Sequence, residues 1–181
     1  MKLALYTFGQ FLRPSKHPAN DGFHAVNDAI LEVIEAAPGF IARSGYLSDH
    51  TGGYGPPSWG EETYPRFYRD NGDGWAPATL SLWTDIESAM AATYYGAHGQ
   101  VMKEGRGWFQ KPQWPPLVLW WVKDHRRPCW QDGARRLEHL QDHGPTARGF
   151  AFTAPFDAAG QRCAIDRTAL ATRRAKEGGD D

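Results

Sequence analysis

The chain has 181 residues, a formal charge of −1 and a hydrophobic fraction of 41%, enough for one domain with a real core. Near-neutral charge sets aside a global field for nucleic acid or an anionic membrane, and no apolar run reaches the length of a membrane span. Eight Trp, seven Tyr and nine Phe require a thick core or a site for flat apolar ligands. The two cysteines, Cys129 and Cys163, do not make a disulfide framework, which points to a reducing, cytoplasmic compartment.

The opening stretch, MKLALYTFGQFLRP, superficially mimics a signal peptide. Its apolar part is short, carries Thr7 and Gln10 and lacks a small-residue cleavage site, so Lys2 to Phe8 reads as a first strand. Leu3, Leu5 and Thr7 fall on one face, Ala4, Tyr6 and Phe8 on the other. After a polar loop, Asn20 or Asp21 caps a helix from about Gly22 to Ala37, with Phe23, Val26, Ile30 and Ile34 as its stripe. Asn27 falls inside that stripe. An unsatisfied buried amide costs about 1–3 kcal/mol, so Asn27 either bonds to the sheet or contacts a ligand. Pro38-Gly39 stops the helix. Phe40 to Tyr46 reads as a second strand with Arg43 in its middle, either snorkelling at a rim or holding an acidic substrate.

Residues 47–76 are rich in Gly, Pro and aromatics. Trp59, Tyr64, Phe67, Tyr68 and Trp75 gain by burial, so the segment reads as a folded flap rather than a disordered loop. Its glycines match no phosphate-cradling pattern. Ala78 to Trp83 alternates as a third strand. Thr84 or Asp85 then caps a long helix ending at Gly105 or Gly107, with Ile86, Met90, Ala97 and Val101 as its stripe. Projection at about 100° per residue puts Glu87, Tyr94 and His98 along one border of that stripe. Tyr94 and His98 are i,i+4 neighbours; Glu87 lies about 16 Å from His98 along the axis and is not its partner. His98 is either a border histidine bonded to Tyr94 or a carbonyl, or a base presented to a pocket.

Leu117 to Val122 is apolar on both faces and must be covered on both. A helix from about Trp130 to Gln141 carries Trp130, Ala134, Leu137 and Leu140 inward. Gly149 to Thr153 reads as a last strand, and residues 157–181 as a frayed, partly helical tail. His125, Cys129, His139 and His143 are metal-ligand types, but His139 projects away from its helix's stripe and no HExxH or CxxC is present, so no metal is expected. No GxSxG and no signature around Cys129 supports a nucleophile.

The order β-α-β, flap, β-α-β, then α-β describes an α+β domain: a ferredoxin-like antiparallel sheet over residues 1–156, helices on one face, with an extra C-terminal helix and strand. The other sheet face is also apolar, and a second copy of the sheet would cover it as an isologous homodimer. Between the sheet and the two longer helices the periodicity leaves an aromatic-lined space near Asn27, Tyr94, His98 and Trp83.

LYTFGQF, APGFIARSGY, LSLW followed by Glu87, the helix with Tyr94 and His98, RGWF, VLWWV and HGP-x-x-x-GFAF together resemble a bacterial domain family of unknown function. That family lies in the dimeric α+β barrel superfamily, named for antibiotic biosynthesis monooxygenases. The resemblance covers most of residues 2–156. It implies a pocket in each subunit where cofactor-free members oxidise aromatic phenols using His, Tyr, Trp or Asn, while other branches bind haem through a helical histidine or merely bind ligands. Carried onto this chain, His98 relays a proton, Tyr94 and Asn27 orient the oxyanion, and Trp83 and Trp121 wall the site. Glu87, Arg43 and Tyr6 complete the candidate substrate contacts. The expected ligand is a small apolar or aromatic molecule, with no cofactor, or alternatively haem on His98; a non-catalytic binding module is the other alternative.

Overall fold

The strand Lys2–Phe8 (β1) lies at the centre of the molecule because both of its faces are apolar. A computed structural model describes residues 1–47 and 56–177. In it β1 pairs antiparallel with Ala78–Trp83 (β3) on one side and with Leu117–Val122 (β4) on the other; Phe40–Arg43 (β2) adds antiparallel to β3. The order is β2-β3-β1-β4. The registers Leu3↔Trp83, Leu5↔Ser81 and Thr7↔Thr79, with Leu5↔Leu119 and Thr7↔Leu117, put these side chains on one face.

That near face is covered by Ile86, Ala89 and Ala92 of the helix Ile86–Tyr94 (α2) and by Phe150 and Phe152. The far face holds Ala4, Tyr6, Leu80, Val118 and Trp120. It is covered by Trp130, Leu137 and Leu140 of the helix Trp130–His143 (α4) and by Trp59, Tyr64 and Phe67. The helices therefore do not all share one face, as the strand–helix order suggested. The far face, where a second copy was expected, is dried by the chain itself: each large apolar side chain buried there contributes about 1.5–3 kcal/mol. Of the expected flap, Trp59, Tyr64, Phe67 and Tyr68 pack on or into the far-face core; residues 48–55 lie outside the described residues.

Three further elements differ from the periodicity. The long helix after Asp85 is broken into α2 and Gly96–Glu104 (α3). Asp85 caps α2 by accepting from the Ser88 amide at 2.7 Å, but Tyr95 is extended (φ −121°, ψ 179°). Gly96 turns left-handed at φ +59°, a conformation that costs a side-chain-bearing residue far more than glycine. Gly99 approaches so closely that a Cβ there would sit 2.4 Å from the Tyr94 carbonyl oxygen. The expected last strand shrinks to a bridge between Phe150 and Leu119. The tail is partly helical as expected but not frayed through 177: Arg167–Glu177 (α5) docks on α2, buries Leu170 and pairs Arg173 with Asp85 at 3.1 Å. Residues 178–181 lie outside the described residues.

Gly133 lets α4 lie directly on the sheet: a Cβ there would meet the Tyr6 ring at 2.5 Å. Gly133→Ala should lower unfolding free energy by about 1–3 kcal/mol through overpacking, read from urea midpoints. An unshifted midpoint would mean that α4 can back away from Tyr6 without cost.

Candidate functional site

The helix Asp21–Ala36 (α1) is amphipathic, yet none of its residues is fully buried. Its stripe meets the sheet at Ile34, which packs against the near-face core, and stands off from it elsewhere. Phe23, Val26, Asn27, Ile30 and Ile34 roof a cavity of about 340 Å³ whose floor is the near face of β1 and β3. A volume of this size is at the small end of the roughly 300–1,000 Å³ typical of small-molecule pockets. α3, Trp108 and Phe109 close the sides. Phe23, Phe11 and Phe109 lock this aromatic wall in edge-on and stacked contacts at 5.0–5.7 Å, geometries that ring quadrupoles favour.

The floor is apolar except for hydroxyls. Thr7 and Thr79 face one another with their oxygens 2.7 Å apart, so one hydroxyl donates to the other and one hydrogen remains to donate elsewhere. Ser81 accepts from the Trp83 indole N–H at 2.9 Å. This fixes the Trp83 ring as a wall and leaves the serine hydrogen as a donor. The sequence reading passed over these three hydroxyls. Their signal was present: Thr7, Thr79 and Ser81 interrupt strands that are otherwise apolar on that face.

His98 forms one end of the cavity. Its Nδ1 lies 2.8 Å from the carbonyl of Thr93, in the last turn of α2, where the break leaves carbonyls short of helical donors. A carbonyl only accepts, so Nδ1 carries the hydrogen and Nε2 keeps a lone pair. Burial pushes the imidazole pKa down, against hydrogen bonds to the backbone at Thr93 and Ala92 that push it up. The ring is thereby held neutral and basic at Nε2. The carbonyl bond anticipated for His98 is present. Among the described residues no hydrogen bond joins it to Tyr94: the helix breaks between them, and Tyr94 sets its ring edge-on to Phe152 at 5.5 Å. Tyr94 still lines the cavity; it is 45% exposed, and burial of the rest raises its phenol pKa, which keeps it a donor.

Asn27 lines the roof and is bonded not to the sheet but to its neighbour, Nδ2 donating to the Asp28 carboxylate at 3.2 Å. Arg43 lines the cavity, with Nε 2.5 Å from the Glu35 carboxylate and Nη1 donating to the Ser44 carbonyl at 3.4 Å. It therefore offers a neutralised pair at the rim rather than a free cation.

Three candidates fall away from this space. Tyr6 lies on the far face, edge-on to Trp130 at 6.2 Å, with its hydroxyl donating to the Thr63 carbonyl at 3.2 Å; burial drives its pKa up. Trp121 donates its indole N–H to the Phe156 carbonyl at 2.7 Å. Glu87 accepts the Asp166 amide at 2.8 Å and so ties the start of α5 to α2. All three have structural partners because each sits where a late segment of the chain docks, which periodicity within one element does not reveal.

Among the described residues no group of three or more His, Cys, Asp or Glu side chains is placed to hold a metal. His139 instead bonds Thr146 at 3.0 Å, and Cys129 is the N-cap of α4, its amide and thiol both directed to Asp132. His98 Nε2 has the right tautomer for an iron; the cationic side chain on the described wall is Arg43, already paired with Glu35, so the described residues offer a haem propionate no free cation.

A family profile described as "Domain of unknown function (DUF3291)" matches residues 2–166. No curated protein and no solved structure matches the chain.

The pH behaviour of His98 follows from its burial. The unfolded imidazole titrates near 6.5 and the folded one below it, so the unfolded state takes up the proton first. Stability from this residue is complete above about pH 6.5 and is lost as pH falls through the folded pKa. Nitrogen-detected NMR should show the Nδ1–H tautomer with a midpoint below 6.5, and His98→Phe should flatten the stability slope in that window. An Nε2–H tautomer would remove the base from the cavity.

Proposed function

We propose, for a chain that belongs to the DUF3291 family of domains of unknown function, that the cavity under α1 binds a small flat molecule of one or two rings bearing a hydroxyl. We propose further that it supports cofactor-independent, monooxygenase-like oxidation of such a phenol. The observation that carries this reading is the imidazole of His98, held neutral by burial, its Nδ1–H engaged by the Thr93 carbonyl, and bordering a cavity whose other walls are almost wholly apolar. The sheet order β2-β3-β1-β4 supports a ferredoxin-like assignment. The far sheet face, where the resemblance seats a second copy, carries α4 and residues 56–76, so a homodimer is not part of the proposal.

In this reading His98 Nε2 accepts the phenol proton. A phenol of pKa about 10 gives its proton to an imidazole of pKa below about 6.5 only uphill, by roughly 5 kcal/mol or more in water. The site offsets this with donors aimed at the developing oxyanion: the spare hydrogens of the Thr7–Thr79 pair and of Ser81, the Asn27 amide and the Tyr94 phenol. The phenolate then reacts with dioxygen. One oxygen atom enters the ring, the other leaves as water, and the product is a quinone. The substrate supplies all the electrons, so the step needs no cofactor.

Naphthol, an apolar bicyclic phenol, should bind stoichiometrically in calorimetry, and Ile30→Trp, which fills the cavity from its roof, should weaken binding by at least about tenfold without lowering the melting temperature. In air, a panel of such phenols should yield quinone absorbance with matching dioxygen uptake, and His98→Ala should slow it by about 10²–10⁴-fold with a smaller change in binding. Binding without oxygen uptake by any phenol would leave only the binding role; no binding at all would end the proposal.

A further inference from the structure

Phe23, Asn27 and Trp75 line the apolar cavity and also a second cavity of about 740 Å³. The two spaces are therefore neighbours, and these shared residues form the partition between them. Its aromatic members are held through Phe11, whose ring stands 5.0 Å from Phe23 and 5.7 Å from Trp75. The partition is anchored at its base: the Asp73 carboxylate accepts the Ser15 amide at 2.6 Å, the Ser15 hydroxyl at 2.7 Å and the Trp75 amide at 3.3 Å. His24 adds a bond to the Ser15 carbonyl at 2.8 Å. These contacts tie the loop before α1 to the end of the flap, so the partition is built by two segments distant in the chain.

The chemistry changes across it. The inner walls are apolar apart from a few hydroxyl, amide and imidazole groups and one neutralised ion pair. The outer cavity is walled by Ser15, Lys16, His24, Glu61, Glu62 and Asp73, among other residues. Even with Glu62 left out of the count, the carboxylates of Glu61 and Asp73 outnumber the Lys16 ammonium among its described residues, a field that disfavours anions. Asn27, which can both donate and accept, belongs to both spaces.

We propose that the natural ligand is two-part: an apolar ring body seated under α1, joined past Asn27 to a polar hydroxylated or amino head, not an anionic one, in the outer cavity. This rests on the reading of the inner cavity as a binding site for a flat apolar molecule. The ring supplies affinity by burial, and the head supplies selectivity by hydrogen bonding and charge. The partition sets the length of the linkage between them.

The test is a calorimetric series on the full chain: naphthol, and naphthyl ethers whose short flexible tails end in a hydroxyl, an ammonium or a carboxylate. The hydroxyl and ammonium tails should bind about tenfold more tightly than naphthol, and the carboxylate tail no more tightly than naphthol. Glu61→Gln should narrow the gap between ammonium and carboxylate tails, melting temperature serving as the check on folding. If naphthol binds but no tail adds affinity, or if the carboxylate tail equals the ammonium tail, the two-part ligand is refuted and the inner site stands. If no compound binds, the inner site itself fails and this inference with it.

Discussion

A sheet that is apolar on both sides cannot leave either side wet, and the rest of this molecule follows from that requirement. β1 and β4 present Leu3, Leu5, Leu117 and Leu119 one way and Ala4, Tyr6, Val118 and Trp120 the other, all of them buried. The chain meets the demand with four separate coverings. On the near face are α2 and the segment around Phe150; on the far face are α4 and the flap. α5 then clips α2 from outside through Arg173 to Asp85 and Asp166 to Glu87. Burial of this kind is non-directional and large in sum, so it fixes which elements meet the sheet but leaves open how tightly each one meets it.

α1 is where the covering is loose. It packs on β2 and α3 and bridges the near face where Thr7, Thr79 and Ser81 replace larger apolar side chains. Small polar residues on the floor and a standing-off helix above it are two views of one fact. Hydroxyls that already bond to one another or to an indole need no partner from the roof, and the volume they do not fill becomes the cavity. The broken helix supplies the remaining component. By ending α2 early, the Tyr95–Gly96 break leaves a last turn whose Thr93 carbonyl His98 engages, and that bond decides which imidazole nitrogen is basic. A local backbone irregularity thereby sets the protonation chemistry of the site.

The far face shows why a resemblance at the level of fold does not carry assembly with it. Two β-α-β crossovers on an antiparallel sheet leave one face bare in principle, and a second subunit is one way to cover it. Here Trp130, Leu137, Leu140, Trp59 and Phe67 pack on or beside that face from within the chain, with Gly133 allowing α4 to ride directly on Tyr6. The same apolar surface that argued for a partner is satisfied by an appended helix and an aromatic flap.

The sequence by itself determined the four strands, α1 and α4, because periods of 2 and 3.6 in apolar residues report directly on local backbone geometry. It also pointed to Asn27, Trp83, Tyr94 and His98 as near a cavity, from their places on or beside an inward stripe, and left Arg43 open between a rim residue and a substrate contact. What it could not determine was which inward-facing residues meet space and which meet protein. Tyr6, Trp121 and Glu87 point inward as plainly as His98, but the flap, the segment after Phe152 and the start of α5 arrive from far along the chain to pair with them. Nor did the stripe from Ile86 to Val101 disclose the break, although Gly96 and Gly99 lie within it: an apolar stripe records the average direction of a helix, whereas a left-handed glycine changes that direction at one residue. Only tertiary structure decided where the cavity lies, because a cavity is a property of the distance between elements, and no single element's pattern encodes that distance.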